Sequence, residues 1–287
     1  ASASAPTFWK IQRWDPSQGS YTPLAPDIML KLGDDLRKDE CVLAVSERMN
    51  RIWAKHNVLC GGRLVRVHTY RVMATDPDFG FIEVVANCRR VPDASDPFWT
   101  PERCANFLPS LAASFAVLWV MGVRDRHFDN FMVLEDGSIF NIDFGFCLGE
   151  EPRIDANVLP LTRNMLAVLK KNPDGWERFR GGLESALRAV QQEERDLLDF
   201  AREFEQGEGA LYQYIRQQLS SESPHGLTAA LNAEARPAEG LDTAIKNTLH
   251  KLSSDGIFAF VRPLTIGLVV AVSALAMLLF TGARRAG

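Results

Sequence analysis

The chain has 287 residues, 46% hydrophobic and 24% charged, with a formal net charge of −4. That composition supports a buried core rather than a disordered chain, and the mild charge implies no nucleic-acid partner. Five cysteines (Cys41, Cys60, Cys88, Cys104, Cys147) are scattered with no C-x-x-C pair, which excludes a disulfide or zinc framework and reads as reduced cytosolic thiols. The length suits one large domain or two smaller ones. The first residue is Ala1 rather than Met, as in a processed chain or a fragment, and no signal peptide is visible at this end.

Residues 1–26 are rich in Ser, Pro and Thr and read as an irregular segment. "DIMLKLGDD" (27–35) reads as a short strand ending in a turn. Val42, Val45, Met49, Ile52 and Trp53 fall at helical spacing within 36–57. "LVRVHTYRVMA" (64–74) alternates as a strand does, "GFIEVVANC" (80–88) reads as a second, and "TDPDFG" between them supplies a turn. After Pro92 the pattern becomes helical: 101–123 is apolar and Ala-rich, and 161–220 holds several helical stretches, including 183–206. Residues 220–240 read as a loose connection, and 241–252 as a last soluble helix.

Leu264 to Phe280 is 17 residues without a charge, flanked by Arg262, Arg284 and Arg285. With Thr281–Ala283 it reaches the ~20 residues that cross a hydrocarbon core. A helix apolar on every face at this place reads as a transmembrane tail anchor, with everything before it on one side of the membrane.

The densest chemistry lies in "GVRDRHFDNFMVLEDGSIFNIDFG", Gly122 to Gly145. Within it, "FMVLEDGSIFNI" reads as strand, Asp136-Gly137 turn, strand. A two-residue Asp-Gly turn opposes Glu135 to Ser138 and therefore Asn130 to Asp143. One amide oxygen and one carboxylate then meet at the open end of the hairpin. Hard oxygen donors at that distance suit Mg²⁺, which keeps water and substrate phosphates as its other ligands. Asp125 precedes Asn130 by five residues, and Asp143-Phe144-Gly145 is a literal D-F-G. Kinase catalytic loops use the same D-x-x-x-x-N spacing followed by a metal-binding D-F-G.

The order Asp125-Arg126-His127, with Asn130 and then "IDFG", resembles the G-x-x-D-R-H-x-x-N and I-D-F-G of the phosphatidylinositol 3-/4-kinase superfamily. "KLGDDLRKDE" (31–40) is similar to that family's K-x-G-D-D-L-R-Q-D/E, "YRVMATDPDFGFIEVV" (70–85) to its Tyr strand and hinge, and "LPLTRNMLAVL" (159–169) to the P-x-x-L-T that closes its activation loop. The resemblance covers roughly residues 27–220. It implies a two-lobed α+β kinase-like fold, to which the apolar run adds the C-terminal transmembrane helix. The N-lobe is a small mixed sheet with a helix (27–91, truncated, with no clear phosphate-covering loop before Lys31). The C-lobe is mainly helical (92–252), and the anchor spans 261–283.

The resemblance also implies roles. Lys31 holds ATP phosphates. Asp39 and Tyr70 sit at the back of the nucleotide pocket. Glu83, Val84 and Val85 form the hinge whose backbone meets adenine. Asp125 and His127 position or deprotonate the attacking hydroxyl, and Asn130 and Asp143 bind the metal. Arg126 is expected to pair with a nearby acid. ATP with Mg²⁺, or Mn²⁺, is the implied cofactor set. The implied activity is phosphorylation of the inositol ring of phosphatidylinositol, with the 3-position preferred over the 4-position. The alternatives are a serine/threonine protein kinase of the related branch and a membrane-tethered pseudokinase. Glu150, Glu151 and Asp155 make the activation loop acidic, which favours unphosphorylated phosphatidylinositol over already phosphorylated inositides. Because ATP is cytosolic, the anchor implies a single-pass protein with its kinase domain facing the cytosol, on the endoplasmic reticulum or mitochondrial outer membrane.

Overall fold

The computed structural model describes residues 6–23, 26–126, 128–152 and 161–221. The chain divides into two units, Ala1–Asn247 and Thr248–Gly287. The second unit, with the expected anchor, lies outside the described residues, as does the expected helix 241–252.

The elements run β1 (Thr7–Trp9), β2 (Gln12–Asp15), β3 (Ser20–Pro23), β4 (Ile28–Leu32), α1 (Arg37–Lys55), β5 (Leu59–Cys60), β6 (Arg63–Leu64), β7 (Val72–Asp76), β8 (Phe79–Glu83) and β9 (Cys88–Arg90). They continue with α2 (Pro101–Val120), β10 (Phe131–Leu134), β11 (Ile139–Asn141), α3 (Arg163–Leu169), α4 (Gly175–Gln192), α5 (Glu194–Phe204) and α6 (Ala210–Ser221). The first half is a small antiparallel sheet with one helix, and the second half is helical. This mixed α+β arrangement is consistent with a kinase-like domain.

The sheet has the order β1-β4-β8-β7. Its register sets Lys31 opposite Gly80, and Gly80 opposite Ala74. A Cβ at Gly80 would lie 2.7 Å from the Met73 carbonyl oxygen and 2.8 Å from a Leu36 methyl. The missing side chain is what lets Leu36, at the head of α1, pack under the sheet. The helical spacing read from 36–57 is realised: Val42, Val45, Met49, Ile52 and Trp53 are all buried, each contributing about 1.5–3 kcal/mol. Trp53 also donates its indole N–H to the Ala186 carbonyl at 3.0 Å, which ties α1 to α4.

Three expectations fail here. Residues 1–26 are not irregular throughout: β1 pairs with β4, and β2 pairs with β3 around an Asp15–Ser20 turn. These strands are only three or four residues long, too short to show a period. Most of 64–74 is not a strand. Asn50 on α1 takes both backbone groups of Val67, accepting from its N–H at 3.0 Å and donating to its carbonyl at 2.9 Å. A side chain thus stands where a neighbouring strand would; within 64–74 only Leu64 and the start of β7 pair with other strands, and β7 itself shifts register between Ala74 and Asp76. The run 183–206 is two helices, broken at Glu193.

α2 begins with Thr100 accepting the Arg103 N–H and with proline at the first turn, a strong start signal. By length and composition α2 would suit a membrane, yet 83% of its most apolar 18-residue stretch is buried within the protein. It is the core helix, with Phe115 set edge-on against Phe179 of α4 at 5.7 Å.

β10 and β11 pair one residue out of the expected register. Phe131 faces Asn141 and Val133 faces Ile139, so the loop is Glu135-Asp136-Gly137 and Asn130 lies opposite Ile142, not Asp143. Only Gly137 in that turn has positive φ, 91°, whereas a two-residue type I′ turn needs it at both central positions. Asp136 instead accepts the Ser138 N–H at 2.8 Å, and Gly137 donates to Leu134 at 2.9 Å. The result is a three-residue turn ending in a left-handed glycine. A Cβ on Gly137 would stand 2.4 Å from the Arg103 carbonyl oxygen. Gly137→Ala is therefore expected to destabilise the domain by about 2 kcal/mol or more, read as a lowered urea midpoint with an unchanged slope.

Candidate active site

The site is assembled where β4 and α1 meet the loop after α2 and the segment after β11. β4 is followed by Gly33, whose φ of 83° turns the chain away from the sheet, and Lys31 pairs with Asp34 at 2.9 Å. Burial pushes the Lys31 ammonium towards deprotonation, but the Asp34 hydrogen bond and the charges of Asp143 and Asp39 outweigh it and hold the pKa above the usual lysine value.

Asp39, in the first turn of α1, is buried. Burial first, and then repulsion from Asp143, raise its pKa to about 6, against the pull of Lys31 and Arg126. Its Oδ1 accepts a long hydrogen bond, 3.4 Å, from the Phe144 N–H. Tyr70 is buried beside it, and burial together with the Asp39 charge keeps its phenol protonated well above the usual range.

The loop after α2 turns at Gly122, where a Cβ would overlap the Tyr214 hydroxyl at 1.9 Å. Asp125 follows with φ 56° and Asp143 with φ 63°, both in the left-handed region that is uncommon for non-glycine residues. Arg126 lies between these two bends and is buried. It was expected to pair with an acid. Instead Nε donates to the Arg124 carbonyl at 3.0 Å, one terminal nitrogen donates to Ile142 at 2.9 Å, and the other donates to the Asp143 carbonyl. The guanidinium also sits over the Phe144 ring, 5.6 Å from its centre. Burial lowers its pKa while Asp143 and Asp125 oppose the shift; an arginine stays charged under such opposition.

Asn130 closes the loop. It is buried, and its amide nitrogen donates to the Asp125 carbonyl at 2.8 Å. That bond leaves the Oδ1 end for another partner. One carboxylate oxygen of Asp125 is buried with no hydrogen-bond partner among the described residues, a costly condition for an anion without a ligand. His127 lies outside the described residues. At the hinge, Glu83 N–H donates to Arg71 and Val84 N–H to Asp27, both at 2.8 Å. Those two N–H groups are thus committed within the fold, and Val85 is the hinge residue left to offer one.

Lys31, Asp34, Asp39, Tyr70, Asp125, Arg126 and Asp143 therefore share one electrostatic neighbourhood. The donor set fits a hard divalent cation. No group of three His, Cys, Asp or Glu side chains suited to a metal occurs among the described residues, but Mg²⁺ in phosphate-transfer sites takes only one or two protein ligands. Sequence reading missed Lys38 and Arg124. Lys38 pairs with Glu150 at 2.5 Å, and Arg124 with Glu151 at 2.6 Å. Both cations sit next to a motif acid, Asp39 and Asp125, and that adjacency was the available signal.

The model of the family described as phosphatidylinositol 3- and 4-kinase matches residues 27–96 and 92–206. The chain belongs to that family. It is 29% identical over 160 residues to the phosphatidylinositol 3-kinase root isoform of Glycine max, covering 50% of this chain and 19% of that protein. It is 31% identical over 147 residues to the phosphatidylinositol 3-kinase VPS34 of Saccharomyces cerevisiae, covering 44% and 16%. It is 27% identical over 233 residues to the phosphatidylinositol 3-kinase age-1 of Caenorhabditis elegans, covering 61% and 19%. The chain thus spans less than a fifth of the length of these relatives.

The raised Asp39 pKa carries a stability consequence with a defined sign. A carboxyl whose folded pKa of about 6 exceeds the unfolded 3.8 takes up a proton on folding. The ionised group therefore costs stability above that window, and the cost disappears below it. Asp39→Asn is expected to stabilise the unliganded domain at pH 7.5, by on the order of 2 kcal/mol, with the gain gone below about pH 4. Urea unfolding at both pH values measures it.

Proposed function

We propose that this chain is a lipid kinase domain that transfers the γ-phosphoryl group of ATP to the inositol ring of phosphatidylinositol, at the 3-position in preference to the 4-position. The observation that carries it is Arg126, which draws the Asp125 loop and the Asp143 segment onto one buried cation. The names of the relatives favour the 3-position. The acidic residues after the D-F-G favour an unphosphorylated inositide, since recognition of an added phosphate asks for cations.

In this reading Lys31 exchanges Asp34 for a nucleotide phosphate, to which its raised pKa presents a full positive charge. Val85 offers its N–H to adenine, beside Glu83 and Val84. Asn130 Oδ1 and the Asp143 carboxylate would hold Mg²⁺ or Mn²⁺. When bound, the ion supplies charge neutralisation at the phosphate oxygens. Asp125, with a buried oxygen that meets no partner among the described residues, orients the attacking hydroxyl, and His127 takes its proton. Buried Asp39 and Tyr70 shape the back of the pocket. The remaining catalysis is alignment of the hydroxyl with the phosphorus.

We extend the reading to residues 264–280 as a membrane span that holds the cytosol-facing domain beside its lipid substrate. Alkaline carbonate is expected to leave the full chain in the membrane pellet and to release a chain ended at residue 252. Release of both would remove the anchor from the proposal.

The activity test is label transfer from ATP to phosphatidylinositol vesicles with Mg²⁺. Labelled lipid is expected, its deacylated product running with the 3-phosphate. Asp143→Ala and Lys31→Met are each expected to fall below about 1% of the parent rate. Label absent from lipid, with a nucleotide-induced thermal shift retained, would overturn the lipid substrate and direct the search to protein hydroxyls. Loss of that shift as well would mark a pseudokinase.

A further inference from the structure

The segment from Ile142 to Leu148 is held at nearly every residue. Ile142 N–H donates to Asn130 at 3.1 Å, Arg126 donates to the Ile142 and Asp143 carbonyls, and Phe144 N–H reaches Asp39. Arg124 N–H donates to Phe146 at 2.9 Å, and Leu148 N–H to Met121 at 2.9 Å. The Gly145 carbonyl is held by the Lys38 ammonium at 3.0 Å, and the same ammonium meets Glu150 at 2.5 Å. This is irregular backbone with two left-handed non-glycine residues, Asp143 and Leu148. Such backbone persists only when its surroundings over-determine it.

Lys38 has a particular place in that set. It is next to Asp39, so two successive residues of α1 grip two successive residues of the D-F-G: Asp39 takes the Phe144 N–H and Lys38 the Gly145 carbonyl. Gly145 N–H in turn lies 3.4 Å from the Asp143 carboxylate. The carbonyl and the N–H flank the same Cα, so a hold on the carbonyl restrains the N–H that faces the Asp143 oxygens. Glu150 lies on the other side of the ammonium, and its side chain is 58% exposed. An exposed pair of this kind adds little to stability; what it can do is keep the ammonium aimed at Gly145.

We propose that Lys38 is a positioning residue that fixes the Asp143 carboxylate through the Gly145 carbonyl, with Glu150 as the counter-ion that keeps it there. The proposal rests on the phosphotransferase reading of the site for its effect on catalysis, but its structural half does not. Removing the ammonium frees the Gly145 carbonyl and loosens residues 143–146, with no loss of a nucleotide contact. The cost falls on metal use and turnover rather than on ATP binding.

The test compares the full chain with Lys38→Met, Lys38→Arg and the exchange pair Lys38→Glu with Glu150→Lys. Amide hydrogen exchange is read over residues 142–150, with thermal midpoints as the folding control. Lys38→Met is expected to speed exchange there, to raise the Mg²⁺ concentration for half-maximal rate roughly tenfold, and to lower kcat while the KM for ATP holds. Lys38→Arg, which keeps a donor to the carbonyl, is expected to restore all three. The exchange pair keeps the ion pair but loses the donor at position 38, and is expected to remain defective. Parent-like exchange and Mg²⁺ dependence in Lys38→Met would overturn the proposal, as would recovery in the exchange pair. A parent chain with no turnover would instead defeat the phosphotransferase reading, and the exchange data alone would then decide whether Lys38 holds the segment.

Discussion

A buried guanidinium cannot be left without acceptors, and Arg126 meets that requirement with three backbone carbonyls instead of a carboxylate. The choice has a large effect. Because no carboxylate among the described residues pairs with it directly, its positive charge is shared among Asp125, Asp143 and Asp39. Because its acceptors belong to two separate loops, the loops are fixed to one another. An unpaired charge in that position would cost several kcal/mol. The fold has to deliver those carbonyls, and with them the left-handed turns at Asp125 and Asp143.

The rest of the domain can be read as support for that cation. α2 brings the chain to Met121 and Gly122, where the nearness of Tyr214 on α6 leaves room for glycine alone. The β10–β11 hairpin returns it at Ile142. α1 adds Asp39 from the opposite side, at the expense of a buried carboxyl that resists ionisation. Lys31 is the second cation of the site and sits on a separate sheet. The acids between Lys31 and Arg126 feel both, so charge around the site is balanced collectively and not pair by pair.

Much of this was legible in the residues. The helical spacing of Val42 to Trp53, the apolar helix that begins at Pro101 and the strand read at 80–88, formed over Phe79–Glu83, each carry a local signal that the tertiary structure keeps. The losses share a different cause. Asp136-Gly137 is compatible with two turn types, and the one adopted depends on Asp136 bonding to Ser138 and on Gly137 lying against Arg103, a contact from another element. A change of one residue in the register then moves Asn130 from Asp143 to Ile142. The alternation of 64–74 is real, but Asn50 pre-empts the hydrogen bonds a strand would make. The acceptors of Arg126 were invisible because backbone carbonyls carry no residue identity.

Asn50 has one more consequence. By taking both the N–H and the C=O of Val67, its side chain acts as a two-pronged latch between α1 and the chain leading into the sheet. The same half of that helix is tied to the helical lobe by Trp53 to Ala186, Arg48 to Asp196 and Lys55 to Glu193. α1 is therefore an axle set in both lobes. Asp39, in the first turn of that helix, stands on an element that both halves of the domain share.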